Sequence, residues 1–347
     1  MLFDKSRVNK ILIIKQGAIG DVLLSTPVIE NLRSNFPEAE INFLTQSYCI
    51  EVLRGNPYLN RILTYDIGKG DSSLCLLKNI NKQKYDLVID LFGNPRTAII
   101  TYNSDARYRA GYRFGWRRLA YNIKIKPRGS EVHNVEFNLD SLRALGLKVI
   151  TDKPYFYINK IHDEFADEFF RENGLSVKNT IGFNAAGTWQ TKVWPAEFWS
   201  KLGKLFSEDN TVLLFWGYEK EKQLAEEIKK NIGSKAIITP EVNLKYMAAL
   251  MKKCSLLVSN DTGPMHIAWV CGVNTAAIFG PTNSHLQGPL SKNSIIIKNE
   301  TLSCLGCNLT KIEDCPYSHK CMKELKPEHV FDKLMEFMKL NINVGTN

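Results

Sequence analysis

The residue order predicts an α/β protein made of two Rossmann-like halves in series, each a parallel sheet flanked by helices. Three observations carry this. Short apolar runs alternate with helix-patterned stretches along nearly the whole chain, as strand–crossover–strand units require. The alternation lapses into mixed, charged sequence over residues 150–178 and then restarts. At 347 residues the chain also exceeds one ordinary core, so two domains are expected.

In the first half, Ile11–Ile14 reads as a fully buried strand. Asp21–Asn35 reads as one helix, with Pro37 past its end. Ile41–Thr45, Arg61–Tyr65 and Asp86–Leu91 are further strands, and 131–146 is a closing helix. Pro154–Tyr157 is strand-like, and Asp163–Asn173 is a charged helix beside the boundary. In the second half the strands are Thr180–Ala185, Thr211–Trp216, Lys235–Ile238, Ser255–Val258 and Thr275–Phe279. The helices between them are Pro195–Phe206, Glu219–Asn231, Leu244–Lys253 and Pro264–Cys271, and Pro327–Leu340 is a last amphipathic helix. Pro195 opens its helix at a position that needs no N–H.

Composition narrows the class. Hydrophobic residues make up 44% and charged residues 23%, as in a globular protein. No apolar run reaches the roughly 18–20 residues of a membrane span, and the first residues do not read as a signal peptide, so a cytoplasmic protein is expected. The net charge of +9 favours acidic partners: nucleic acid, an anionic membrane face or phosphorylated substrates. The excess is concentrated. Ala106–Arg128 holds eight Lys/Arg and no acid, interleaved with Tyr108, Tyr112, Phe114, Trp116 and Tyr121. It reads either as a solvated face or as a phosphate-binding one. Interleaved aromatics also suit nucleic acid, but no nucleic-acid module is recognisable, and none is expected as a partner.

Five stretches carry chemistry. In "KQGAIGDVLLSTP", Gly17 and Gly20 form a glycine turn between strand and helix, a layout that usually holds a phosphate. Asp21 stands there instead. It is either a helix-start acid or a base that takes the proton from a sugar hydroxyl. In "NAAGTWQTKVWP", small residues admit close backbone approach, Thr188 offers a hydroxyl and Lys192 a point charge for phosphate; the plain alternative is a solvated lysine on a surface loop. In "VSNDTGPMHIAWVCG", Asp261, Thr262 and Gly263 join a strand to a helix whose first N–H groups suit an anion. His266 lies one turn in, as a ligand contact or a satisfied core histidine. Glu219 and Glu221 follow an apolar strand, where an acid binds ribose hydroxyls or simply starts a helix. Finally, Cys304, Cys307, Cys315 and Cys321 are a candidate structural metal site or free thiols. A dehydrogenase fits poorly, because Gly-x-Gly-x-x-Gly is absent.

Taken together, these stretches resemble glycosyltransferase family 9, the heptosyltransferases of lipopolysaccharide core synthesis. "KQGAIGDVLLSTP", "KVWP", "NDTGPMHIAWVCG" and "IFGPT" look like its motifs, and the cysteine tail is similar to its heptosyltransferase II branch. The likeness runs from Ile11 to Val330. It implies a GT-B fold, two Rossmann-like domains facing an interdomain cleft. Residues 1–160 would bind the acceptor and 161–325 the nucleotide-sugar donor, with 326–347 a helix packing back toward the N-terminal domain. It implies inverting transfer of a heptose or related sugar from an ADP-sugar to a lipopolysaccharide core or other envelope glycan, with no required metal. By position, Asp21 matches the general base and Lys192 the donor-phosphate lysine. Asp261, Thr262, Gly263 and His266 match the donor loop, joined by Thr188 and Glu219; Glu221 competes with Glu219. Gly20, Arg113 and Arg117 are expected on the acceptor side. The implied partners are an ADP-heptose-type sugar, a phosphorylated lipid-linked glycan and the inner face of the inner membrane. A transferase acting on autotransporter proteins, or a non-catalytic nucleotide-sugar binder, would keep the same scaffold.

Overall fold

Two six-stranded sheets, every strand parallel to its neighbours, carry the chain. The computed structural model describes residues 3–66, 68 and 70–344. The chain divides into Met1–Tyr157 and Ile158–Asn347, close to the boundary expected at 160/161.

In the first unit the strands are β1 (Lys10–Ile14), β2 (Glu40–Thr45), β3 (Arg61–Thr64), β4 (Leu87–Asp90), β5 (Tyr108–Tyr112) and β6 (Ile123–Ile125), in spatial order β3-β2-β1-β4-β5-β6. Ile11 pairs with Ile41 on one side and Leu87 on the other. Ile11 to Ile14 are all fully buried. A parallel sheet covered by helices on both faces needs such an unbroken apolar run, because neither face meets water. The second unit repeats the plan. Its strands β7 (Thr180–Asn184), β8 (Thr211–Leu214), β9 (Ala236–Ile238), β10 (Leu256–Asn260), β11 (Thr275–Ile278) and β12 (Ser294–Ile297) lie in the order β12-β11-β10-β7-β8-β9. In each sheet the strand order reverses once, between β1 and β4 and between β7 and β10. Loops leave a doubly wound sheet in opposite directions there and open a crevice at the strand carboxyl ends.

Several elements differ from the sequence reading. The single helix expected over Asp21–Asn35 is two, Ile19–Leu23 and Pro27–Asn35. Pro27 has no N–H, and its ring would meet the carbonyl of Leu23 in a continuous helix. The Ser25 and Thr26 hydroxyls donate to the Val22 and Leu23 carbonyls at the break, both at 2.7 Å. Tyr108–Tyr112 and Ile123–Ile125, in the basic stretch, are strands rather than a charged surface run, and Ser294–Ile297 is an unforeseen edge strand. Pro154–Tyr157 forms no strand.

The second core is aromatic. Trp194 and Trp199 are fully buried and meet edge to face with centroids 5.3 Å apart, beside Phe183 and Phe206. The last helix, Pro327–Val344, was expected to pack back toward the N-terminal domain. Its Val330, Leu334 and Phe337 are part of this second core. Leu334→Ala should therefore cost about 2–5 kcal/mol, the usual price of a buried leucine, read as a lower urea midpoint of the second unit's transition. An unchanged midpoint would remove the helix from that core.

Candidate functional site

The first crevice is built from the loops after β1 and β4. Gly17 has φ +114°, a conformation that side chains rarely adopt. A Cβ there would lie 2.9 Å from the Asp21 carboxylate and 3.3 Å from the Phe92 ring, so the glycine lets both loops close on Asp21. The Gly17 N–H donates to Gln46 Oε1 at 3.1 Å, and the Tyr48 hydroxyl donates to the Gly17 carbonyl at 2.8 Å. Asp21 is half-buried in the first turn of Ile19–Leu23. Its Oδ2 accepts the Ala18 N–H at 3.1 Å, which is the helix-start role. Its Oδ1 has no hydrogen-bond partner among the described residues, and so is open to a donor. Gly20 is buried within the same short helix.

Beneath this loop lies a charged layer the sequence reading did not single out. Lys15 Nζ donates to the Leu91 carbonyl at 3.3 Å and lies 3.5 Å from Asn138 Oδ1. Burial pushes its ammonium pKa down, while Asp21 and Asp90 pull it back up. Asp90 accepts from the Phe92 and Gly93 N–H groups at 3.1 and 2.8 Å and from the Tyr121 hydroxyl at 2.7 Å. Burial raises its pKa all the same. Tyr121 reaches Asp90 because residue 111 is glycine: a Cβ there would collide with the Tyr121 ring. Arg117 joins the same corner, donating to the Gly93 carbonyl at 2.6 Å, whereas Arg113 is exposed.

The second crevice lies between the loops after β7 and β10. Lys192 Nζ pairs with Asp261 Oδ2 at 2.7 Å, with the side chains only 13% and 3% exposed. The ammonium also sits 4.5 Å from the Trp189 ring centroid, a favourable cation–π placement. The Thr282 hydroxyl donates to the same Asp261 oxygen at 2.6 Å. Asn184, the last residue of β7, donates to Ser259 Oγ and Thr262 Oγ1 at 2.9 and 2.8 Å. Asn260, the last of β10, donates back to the Ala185 carbonyl at 2.7 Å. Thr262 and Gly263 open the helix Gly263–Val270 and remain partly exposed, so its first N–H groups can meet an anion.

The other candidate residues separate. His266 is 4% exposed and its Nδ1 accepts from Trp269 Nε1 at 3.4 Å, a satisfied core histidine. Thr188 is exposed on the loop before Lys192. Glu219 is exposed at its helix start, while Glu221 turns back so that Oε2 accepts the Gly217 N–H at 2.7 Å. Of the two acids, Glu221 closes the strand end. Its pKa is raised by burial.

The cysteine segment braces the lysine loop. The His319 ring, 3% exposed, has Nε2 2.7 Å from the Thr191 carbonyl, and the Thr191 hydroxyl donates to the Leu309 carbonyl. Two contacts from 304–321 thus hold the residue before Lys192, and nothing in the sequence links His319 to that loop. All four cysteines of the segment are free thiols. Burial pushes Cys321 up to about 11, with Cys304, Cys307 and Cys315 near enough to add to it. Among the described residues no group of three or more His, Cys, Asp or Glu stands where it could hold a metal ion.

The profile of glycosyltransferase family 9 (heptosyltransferase) matches residues 74–315. Lipooligosaccharide heptosyltransferase 2 of Campylobacter jejuni subsp. jejuni serotype O:2 is 25% identical over 333 residues, spanning 92% of this chain and 96% of the relative. A glycosyl transferase family 9 structure from Veillonella parvula matches with TM-score 0.81 at 24% identity, covering 97% of this chain and 98% of the other. ADP-heptose lps heptosyltransferase II of E. coli matches at 0.75 and 20%, covering 96% and 99%. At these identities the two structures speak for the fold.

A buried ion pair that loses one member leaves the other charged and unpaired, at a cost of about 3–5 kcal/mol. Lys192→Met should therefore destabilise the second unit by about that amount in urea denaturation. Adding Asp261→Asn should recover much of it. Additive losses in the double variant would mean that the two side chains do not depend on each other.

Proposed function

The chain is a member of glycosyltransferase family 9, a GT-B glycosyltransferase, and from that premise we propose that it transfers a heptose from an ADP-heptose-type donor to a lipopolysaccharide or lipooligosaccharide core. The observation that carries this is the pair of crevices: a carboxylate with an unused oxygen ends the first, and a lysine with helix-start N–H groups ends the second.

In this reading the acceptor hydroxyl gives its proton to Asp21 Oδ1 as its oxygen bonds to the anomeric carbon. The carbon–oxygen bond to the diphosphate breaks from the opposite face, so the configuration inverts. Nucleoside diphosphate leaves with the electron pair. Lys192, whose ammonium Asp261, Thr282 and Trp189 hold in place, and the Thr262–Gly263 N–H groups offset the charge that develops there. Because they are fixed in advance, little reorganisation is needed as the charge appears. Glu221 suits the nucleoside hydroxyls better than Glu219. Arg113 and Arg117 would hold phosphates of a lipid-linked acceptor. Among the described residues no helix is long and apolar enough to cross a membrane; in this reading the acceptor is met at the inner face of the inner membrane, where the basic stretch 106–128 suits its phosphates.

Calorimetry with ADP-heptose, UDP-sugars and GDP-sugars tests the donor. ADP-heptose should bind tightest, and Lys192→Ala should weaken it; preference for another nucleotide sugar would discard the heptose assignment. Asp21→Asn should lower turnover at least ~100-fold, the scale of a lost general base, while donor affinity stays within about twofold. Turnover equal to the parent would take Asp21 out of the mechanism.

A further inference from the structure

Exposed apolar side chains stand on two packed helices next to the first crevice, in a basic stretch of the chain. The helix Pro95–Tyr102 buries Thr97, Ala98, Ile100 and Thr101, yet leaves Ile99 and Tyr102 49% and 61% exposed. Three residues apart, they share a face. The 3-10 helix Gly115–Ala120 leaves Trp116 and Leu119 58% and 71% exposed, eclipsed by its three-residue turn. The two helices pack together, with Ala98 against Ala120 and Tyr121. Arg109 ties them: its Nε donates to the Ala120 carbonyl at 3.1 Å, and its guanidinium lies 6.0 Å from the Tyr102 ring centroid. Four large apolar side chains therefore project from one corner, where folding gives them nothing to pack against.

The stretch of chain that carries them is strongly basic. From Pro95 to Arg128 there are nine Lys/Arg and a single acid, Asp105. Arg107, Arg113 and Arg118 are exposed. Aliphatic and interfacial aromatic side chains within a basic field are the chemistry of an anionic bilayer surface. A nucleic-acid face would stack aromatics and has no use for exposed Leu119 and Ile99.

We propose that this corner docks on an anionic membrane. Trp116 and Leu119 enter the headgroup region, Ile99 and Tyr102 lie beside them, and Arg107 and Arg118 meet lipid phosphates. The proposal deepens the reading of a lipid-linked acceptor and rests on it for its purpose. The same 3-10 helix sends Arg117 the other way, onto the Gly93 carbonyl, and the neighbouring Phe92 ring lies against Gly17 in the loop that carries Asp21. Lipid contact and base are thereby joined through one short series of contacts.

The test is co-sedimentation of the full chain with phosphatidylcholine vesicles, with and without phosphatidylglycerol and with no acceptor present. The parent should bind the anionic vesicles, and less so as salt rises. Trp116→Ser with Leu119→Ser should weaken binding at least ~10-fold, and Arg118→Glu about fivefold or more. These side chains are exposed, so the urea midpoint should not move. The double variant should keep donor affinity and activity on a delipidated acceptor while losing activity on acceptor held in vesicles. A parent that stays in the supernatant, or a double variant that sediments like it, overturns the proposal. So does equal binding to neutral vesicles, or retention by RNA but not by vesicles. Vesicle binding without ADP-heptose binding would instead sink the donor assignment and leave the docking surface standing.

Discussion

The polar groups of both candidate sites are placed by one topological constraint, the reversal of strand order in each sheet. A parallel sheet buried on both faces leaves its backbone and side chains no route to water except at the strand ends. Between β1 and β4, and again between β7 and β10, the departing loops part, and a crevice opens at the carboxyl ends. Asp21, Asp90 and Arg117 gather at the first; Lys192, Asp261 and Thr262 gather at the second. The chemistry needs no strand of its own. It occupies the positions the packing leaves open.

The polar groups at these crevices are held far more tightly than a surface loop requires. Asn184 and Asn260, the last residues of adjacent strands, each reach across to the loop that follows the other, so neither loop moves alone. Lys192 is gripped by a carboxylate and an aromatic ring, and its preceding residue by the cysteine segment. Bringing a lysine and an aspartate together out of water adds little net stability. Such an arrangement is better explained by the need to present a charge at a fixed point.

Much of this was legible in the sequence because its causes are local. Short, mainly apolar runs mark β1, β4, β7 and β10, and the residues that end those strands or follow them are the glycine, aspartate and lysine stretches. What stayed hidden depends on neighbours distant in the chain. In Tyr108-Arg-Ala-Gly-Tyr112 the surrounding basic run, Arg109 included, masked a strand whose tyrosines are buried. A helix pattern over 21–35 concealed the break that Pro27 imposes. Glu219 and Glu221 are equivalent by spacing, and only the turn of the chain at Gly217 separates them. His319 touches the lysine loop from 128 residues away, a contact no local pattern encodes.

The repeated strand order has a consequence for how the chain is made. In both units the first strand to leave the ribosome, β1 or β7, ends in the middle of its sheet. One of its two edges is covered early, by β2 or β8. The other waits for β4 or β10, which emerge only after two more strands and their crossover helices. At about 5–20 residues per second, an apolar central strand spends seconds with a bare edge, the state most open to mispairing between nascent chains. The slow interval of translation in each half, rather than the finished protein, is where this architecture would call on a chaperone.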